Sequence, residues 1–526
     1  MQANFELDQL GLSLIEQHAD LFADIVRGIE RESLRVTEAG VIAKTEHPKA
    51  LGSALTHPFI TTDFSEALIE LVTPPVKGLD SLAAYLQSLH QFVYQQLDHE
   101  WLWPASMPPM VEEASQIKIA EYGKSNVAKM KQVYRNGLTH RYGKMMQVIS
   151  GIHYNFSLPK DLFDLWNKAS GSQCDLREFT DAAYFRLMRN YLKFYWLLIY
   201  LFGASPACAA SSLPHEIPDY LQAWDKETYF APYATSLRMS GLGYNNHSQA
   251  SIWVSRDNVS QYAKDLLKTT QTPYEAYAKI GLKDEQGEYK QLNANLLQIE
   301  NEYYSPIRPK QITKSGERPA VALMERGVEY IEVRCLDVNP FLPCGIDQEQ
   351  AAFIDVFLVF CLLSSSESLC KADCQENGEN VRKVVIEGRR PDLLLQYQGK
   401  SVAMTDWAES LFNQLEKIAV IMDAGTKSIY SEAVKVQREK ISDSSLTPSA
   451  KMLLLMTSQQ KNFQQLMLNQ AKQYKAYFNN LPLPSNQQEL AKMAKQSLIS
   501  QLQIEAGDKL SFEQFIENYF RQGFFL

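Results

Sequence analysis

Carboxylates recur on one face of several short alternating stretches, and this pattern limits the fold more than any other feature of the chain. In residues 27–36, RGIERESLRV, Glu30 and Glu32 share a face with Leu34 and Val36. Side chains of a strand alternate between two faces, so acids two residues apart point the same way. In residues 146–159, MQVISGIHYNFSLP, His153 and Asn155 lie opposite Val148, Ile152, Tyr154 and Phe156. In 328–340, VEYIEVRCLDVNP, Glu332 and Arg334 lie opposite Ile331 and Val333. In 297–310, LQIENEYYSPIRPK, Glu300, Glu302 and Tyr304 align against Ile299 and Tyr303, and in 68–74, LIELVTP, Glu70 sits between Leu68 and Val72.

A sheet with one solvated face would also alternate. If these strands pair in one sheet, however, the acids and the histidine converge on a concave polar face, and like charges so close need cations between them. Oxygen ligands with at most one imidazole select Mg²⁺ or Mn²⁺ over Zn²⁺. Hard cations of this kind are commonly shared with the phosphates of a nucleotide. No phosphate loop accompanies them. In EYGKSN, residues 121–126, Gly123-Lys124-Ser125 lacks the earlier glycine of that motif, since Lys118 stands in its place. GLGYNN, residues 241–246, supplies only GxG, and neither HExxH nor GxSxG is present.

The chain has 526 residues, 45% of them hydrophobic and 21% charged, the composition of a large folded protein. Its net charge of −9, without a long basic run, disfavours nucleic acid as a partner. The longest apolar run, FYWLLIYLFGA at 194–204, is shorter than the roughly 18 residues of a membrane span and predicts a buried helix. The start of the chain carries acids where a secretory signal would be basic, so no signal peptide is expected. Seven cysteines form no disulfide framework, and Cys370 and Cys374 have no second pair to complete a zinc site. A reducing, cytoplasmic setting is the expectation.

Helical periodicity covers residues 5–26, 80–98, 178–203 and 347–364. Strand patterns cover 27–76, 146–158, 296–304 and 328–338. Beyond about 400 the pattern is helical, broken by LPLPSN at 481–486. Strands and helices are segregated, which predicts α+β. A single domain over 1–526 is expected, with a helical subdomain from about 400 packed on it. The KMLLLM and FIENYF patches in that part are read as packing surfaces.

Eight stretches occur in a recognisable order: RGIERESLRV, LGSALTHPFITTDFSEALIELVTP, VYRNGLTHRYG, MQVISGIHYNFSLP, YLFGASPA, PYATSLRMSGLGY, LQIENEYYSPIRPK and YIEVRCLDVNPF. Together they closely resemble the glutamate–cysteine ligases (γ-glutamylcysteine synthetases) of the standalone bacterial type, from about residue 25 to 365 and more weakly beyond. The length leaves no room for the ATP-grasp domain of the bifunctional relatives. The resemblance implies a glutamine synthetase-like fold, an antiparallel sheet bent into a funnel with helices outside. It also implies the reaction: ATP phosphorylates the γ-carboxylate of glutamate, and the amine of cysteine displaces phosphate from the γ-glutamyl phosphate. A relative using another amine, or a non-catalytic scaffold, is the alternative.

The resemblance places the metal ligands, for Mg²⁺ or Mn²⁺, at Glu30, Glu32, Asp63, Glu70, His153 and Glu332. It places the glutamate carboxylate on Arg238, whose planar fork suits it. It places the cysteine pocket at Tyr134, Arg135, Gln147, Tyr244 and Tyr304, with Ile149 as an apolar wall. Arg334 is assigned, with Glu332, to the transferring phosphoryl group, a salt bridge between the two being the alternative. Lys310 is a further candidate for the ATP phosphates. Cys335 is read as a buried small residue. A monomer is expected, and feedback by glutathione is left open.

Overall fold

The computed structural model describes residues 6–214, 216–242, 249, 252–424 and 428–523. Its centre is an open antiparallel sheet in the order β2-β3-β1-β5-β10-β9. The strands are β1 (Val26–Thr37), β2 (Ile60–Thr62), β3 (Leu68–Val72), β5 (Ile152–Ser157), β9 (Ile307–Lys310) and β10 (Tyr330–Leu336). A short β4 (Glu100–Leu102) extends the far end of β1. Two smaller sheets stand apart: β6 (Ala207–Ala209), β7 (Gln222–Ala223) and β8 (Thr228–Phe230), and the hairpin of β11 (Leu394–Tyr397) and β12 (Lys400–Ala403). The α+β class with helices outside the sheet is as the sequence predicts.

Register decides what each face carries. Glu32 lies opposite Glu70, Glu30 opposite His153, and Glu332 opposite both Asn155 and Arg308. Directly opposed residues of antiparallel strands share a face, so the acids, His153, Asn155 and Arg308 form one polar surface. The reverse face carries Ile29, Ile69, Leu71, Ile152, Tyr154, Phe156, Ile307, Ile331 and Val333, all within the main core. Helices Leu79–Gln95, Leu176–Phe194 and Gln348–Leu363 cover it. After its Gln348-Glu349-Gln350 first turn the last of these is apolar on all sides apart from the fully buried Asp355, which meets Arg27 of β1 at 2.7 Å and Tyr154 of β5 at 2.8 Å. A second core gathers Leu34, Val36, Trp103, Ile149 and Phe463 around the far end of β1.

Four expectations are corrected. Residues 300–302 form a 3-10 turn rather than a strand, because Glu300 and Glu302 are buried against separate cations: Arg318 at 3.0 Å and Arg141 at 3.0 Å. The strand expected from 146 begins at Ile152, after a 3-10 turn at Met145–Val148 that sends Val148 into the second core. The first helix spans Gln9–Gln17, capped by Asp8, and gives way to a 3-10 helix at Ala19–Asp24. The apolar run at 194–204 divides into the end of one helix and the buried helix Trp196–Phe202. Among the described residues no helix is long and apolar enough to cross a membrane.

Helices at Asn126–Tyr142, Lys160–Ser170, Val259–Thr269 and Lys371–Glu387 were not expected from periodicity. The first is capped by Ser125, so the GKS stretch serves as a helix start. The breaker at 481–486 separates helices Phe463–Asn480 and Gln487–Gly507, as expected.

Candidate active site

The polar face floors a cavity of about 580 Å³. Glu30, Glu32, Glu70, His153, Glu332, Arg308, Lys310 and Arg334 all line it from the sheet. Two sets of three offer ligand atoms within 4.8 Å of one another: Glu30, His153 and Glu332, and Glu32, Glu70 and His153. The two neighbouring glutamates of β1 therefore fall in different sets, joined by one imidazole. His153 Nδ1 lies 3.0 Å from Glu30 Oε2, and Asn155 Nδ2 donates to Glu30 Oε1 at 2.9 Å. Gly151 N donates to Glu32 Oε2 at 2.6 Å. A Cβ at Gly151 would stand 2.1 Å from Arg238 Nη2, so a side chain there would displace that guanidinium.

Charge is balanced unevenly across this floor. Glu332 is 1% exposed and faces Lys310 Nζ at 3.3 Å and Arg334 NH1 at 3.2 Å. Burial opposes its charge, but Lys310, Arg334 and His153 outweigh it and hold the carboxyl well below its ordinary range. Glu70 makes no ion pair or side-chain hydrogen bond among the described residues. Burial, with Glu30, Asp63 and Glu32 close by, pushes its carboxyl well up. Burial, with Asp63 adding to it, raises Glu32 as well. The basic side chains gather at Glu332 and leave Glu32 and Glu70 without an ion pair among the described residues, an arrangement that suits a hard divalent cation. Asn155 Oδ1 is buried without a hydrogen bond, and Glu332 Oε2 has no partner beyond its ion pair with Arg334.

The remaining predicted residues divide. Asp63 lines the cavity outside both sets, its backbone carbonyl receiving Tyr122 Oη at 2.8 Å and Arg135 Nε at 2.5 Å. Arg135 thus grips the Asp63 loop and stacks 4.7 Å from the Tyr122 ring. Tyr134, Gln147 and Tyr304 line the cavity. Ile149, at 2% exposure, packs in the second core instead of forming a cavity wall. Arg238 is 2% exposed and does not line the cavity; it donates to the Arg334 carbonyl at 3.0 Å, with Asp337 Oδ1 at 3.9 Å. Tyr244 lies outside the described residues. Cys335 is buried, its Sγ 3.0 Å from Tyr191 Oη.

Three lining cations were missed: Arg308, Lys131 and, in the loop after β9, Lys314. Arg308 sits two residues before Lys310, and the strand reading of 297–310 would have paired them had the strand been started at Ile307. Lys131 lies one turn before Arg135 on the helix Asn126–Tyr142, beside Tyr122 at 5.0 Å. Burial and Arg135 push its amine down to about 8.

Residues 12–384 match the family model described as glutamate-cysteine ligase. The chain is 47% identical over 508 residues to the glutamate–cysteine ligase of Alcanivorax borkumensis, covering 95% of this chain and 97% of that one. It is 46% identical over 516 residues to that of Pseudomonas putida, covering 98% of each. The crystal structure of the Francisella tularensis glutamate–cysteine ligase in complex with AMP matches with a TM-score of 0.89 and 42% identity, over 94% of this chain and 97% of that one. A bifunctional glutathione synthetase from Pasteurella multocida matches with a TM-score of 0.73 and 26% identity, over 93% of this chain but 58% of its own length. By family model, near full-length identity and fold alike, this chain belongs to the glutamate–cysteine ligase family.

Proposed function

We propose that this protein joins the γ-carboxylate of L-glutamate to the amine of L-cysteine at the expense of ATP, as a cytoplasmic monomer. The observation that carries this reading is the pair of carboxylate sets sharing His153, bordered by Arg308, Lys310 and Arg334. In the first step a γ-carboxylate oxygen of glutamate attacks the γ-phosphorus of ATP and ADP leaves. In the second the cysteine nitrogen attacks the acyl carbon, phosphate leaves, and the amine gives up a proton.

Mg²⁺ or Mn²⁺ held by Glu30, Glu32, Glu70, His153 and Glu332, with Asp63 alongside, would neutralise triphosphate charge and align the reacting groups. Arg334 meets the transferring phosphoryl group and offsets charge that grows in the transition state. Glu332 holds Arg334 and Lys310 in place, which keeps both cations aimed at the phosphates. The resemblance assigns Arg238 to the glutamate carboxylate; buried as it is, it braces the Arg334 carbonyl and so positions the phosphoryl site. Tyr134, Gln147 and Tyr304 surround the cysteine, with Arg135 fixing the loop that bears Asp63.

The test is product analysis with glutamate, ATP, Mg²⁺ and either cysteine, 2-aminobutyrate or alanine. γ-Glutamylcysteine with stoichiometric ADP is expected. ADP release that cysteine does not stimulate would overturn the cysteine assignment.

A further inference from the structure

Arg31 is a buried charge that no described residue answers. It stands on β1 between Glu30 and Glu32 but on the opposite face, paired across the sheet with Leu71 of β3 and Ile152 of β5. Both of these belong to the main core. Arg31 is 2% exposed, and its guanidinium makes no hydrogen bond and no ion pair among the described residues. Its Nε and Nη1 are buried donors without an acceptor. The other two buried arginines of this face are answered: Arg27 meets Asp355 at 2.7 Å, and Arg35 meets Glu100 at 2.7 Å.

Its neighbours supply no negative charge. Glu32 lines the active-site cavity on the other face of the strand. The remaining titratable groups within reach of the guanidinium are Tyr94, Tyr474, Cys344 and His90. Burial pushes both tyrosine hydroxyls up and the Cys344 thiol up to about 12, and takes the His90 imidazole down to about 3. All four are therefore uncharged near neutral pH. Tyr474 Oη already donates to the Pro340 carbonyl at 2.8 Å, and His90 Nδ1 pairs with the Leu86 carbonyl at 2.8 Å. Burial draws the guanidinium itself downward, yet an arginine keeps its proton at neutral pH. An unanswered charge inside an apolar core is strongly disfavoured.

A second cavity, of about 390 Å³, adjoins this charge. Ile29, two residues before Arg31 on the same face, lines it, as does Cys344. Gly345 follows Cys344 and closes on the guanidinium, since a Cβ there would stand 3.6 Å from Arg31 Nε. Most of the lining is apolar, with Leu79, Leu82 and Leu86 on one side. No lysine or arginine lines it among the described residues, whereas Asp347 and Glu349 do, so a multivalent anion finds no second cation there. We infer that Arg31 holds a small monovalent inorganic anion of the halide class, which enters by this cavity. The ion braces β1 from behind, beneath the two glutamates that the strand turns to the active site.

The experiment melts the full-length protein in sodium chloride, sodium bromide and sodium gluconate at one ionic strength. Halide is expected to raise the melting temperature saturably over gluconate, by about 2 °C at about a hundred times its dissociation constant. Arg31→Met keeps an apolar stem and removes the charge, so its melting should not distinguish halide from gluconate. No halide-specific rise in wild type, or a rise that persists in the folded variant, would overturn the assignment. Bromide-soaked crystals of the wild-type protein need no variant. An anomalous peak beside the Arg31 guanidinium is expected. The rival occupant is a water bridging Arg31 to His90 Nε2, which also lacks a hydrogen-bond partner. A water there, with bromide found only elsewhere, refutes the ion.

Discussion

Two opposing demands meet at Glu30. Burial beside Glu332 raises the cost of its charge, while His153 and Asn155 hold it ionised, so its carboxyl stays below the ordinary range. Glu302 has the same strand-like spacing in the sequence and reaches the cavity edge, yet its carboxylate is already held by Arg141 at 3.0 Å and Tyr142 at 2.7 Å. The charge of Glu302 is thus answered by a guanidinium, whereas Glu30 is held by a neutral amide and by an imidazole that also belongs to the second carboxylate set. Glu30→Gln keeps the shape of the side chain and removes its charge. Its turnover should fall by at least about a hundredfold, more than is typical for loss of an outer partner of a metal ligand, with the melting temperature little changed. ADP release and thermal melts measured side by side decide this. A variant turning over at near the wild-type rate would remove Glu30 from the site.

Elements differ in how plainly they declare themselves. β1, β3, β5 and β10 each bury one face in the main core and turn the other to the cavity, so period-two alternation exposed them and most of the acids they carry. The helix Asn126–Tyr142 gave no such signal. Its inward side carries Lys131 and Arg135 because it lines the cavity, so it lacks an apolar stripe. The 3-10 turn at Glu300–Glu302 was mistaken for strand for a related reason: two buried acids mimic a polar face when their cations, Arg141 and Arg318, are distant in sequence. Short β2 depends on His57, whose Nδ1 accepts the amides of Phe59 at 3.1 Å and Ile60 at 2.9 Å. Burial pushes this imidazole from 6.5 down to about 4. A depressed folded-state value means the neutral ring is favoured, so its contribution is present above about 6.5 and lost as pH falls towards about 4. The loss amounts to about 3 kcal/mol by the lower end of that window. His57→Asn offers an acceptor oxygen that does not titrate. Urea denaturation of the variant should show a shallower decline than wild type over this range, and parallel pH profiles would exclude His57 as the cause.

At the scale of the whole molecule, the helical C-terminal third is bound to the sheet-bearing part through its own core residues. Trp407 packs 5.0 Å from Trp196, and Phe412 lies 5.8 Å from Phe353. Phe478 stacks on Tyr94 at 5.0 Å and on His90 at 5.5 Å. Arg27 of β1 donates to Tyr430 Oη at 2.8 Å, and Tyr474 Oη donates to the Pro340 carbonyl at 2.8 Å. The apolar faces of these helices are therefore covered by the first two-thirds of the chain, and separating the parts would expose them to water at about 25 cal/mol per Å². From this packing we propose that the chain unfolds as a single cooperative unit. Calorimetry of the full chain should give one transition with matching calorimetric and van't Hoff enthalpies. The excised segment 400–526 should melt without a cooperative transition. Two resolved transitions in the intact protein, or a sharply melting fragment, would instead divide it into independent domains.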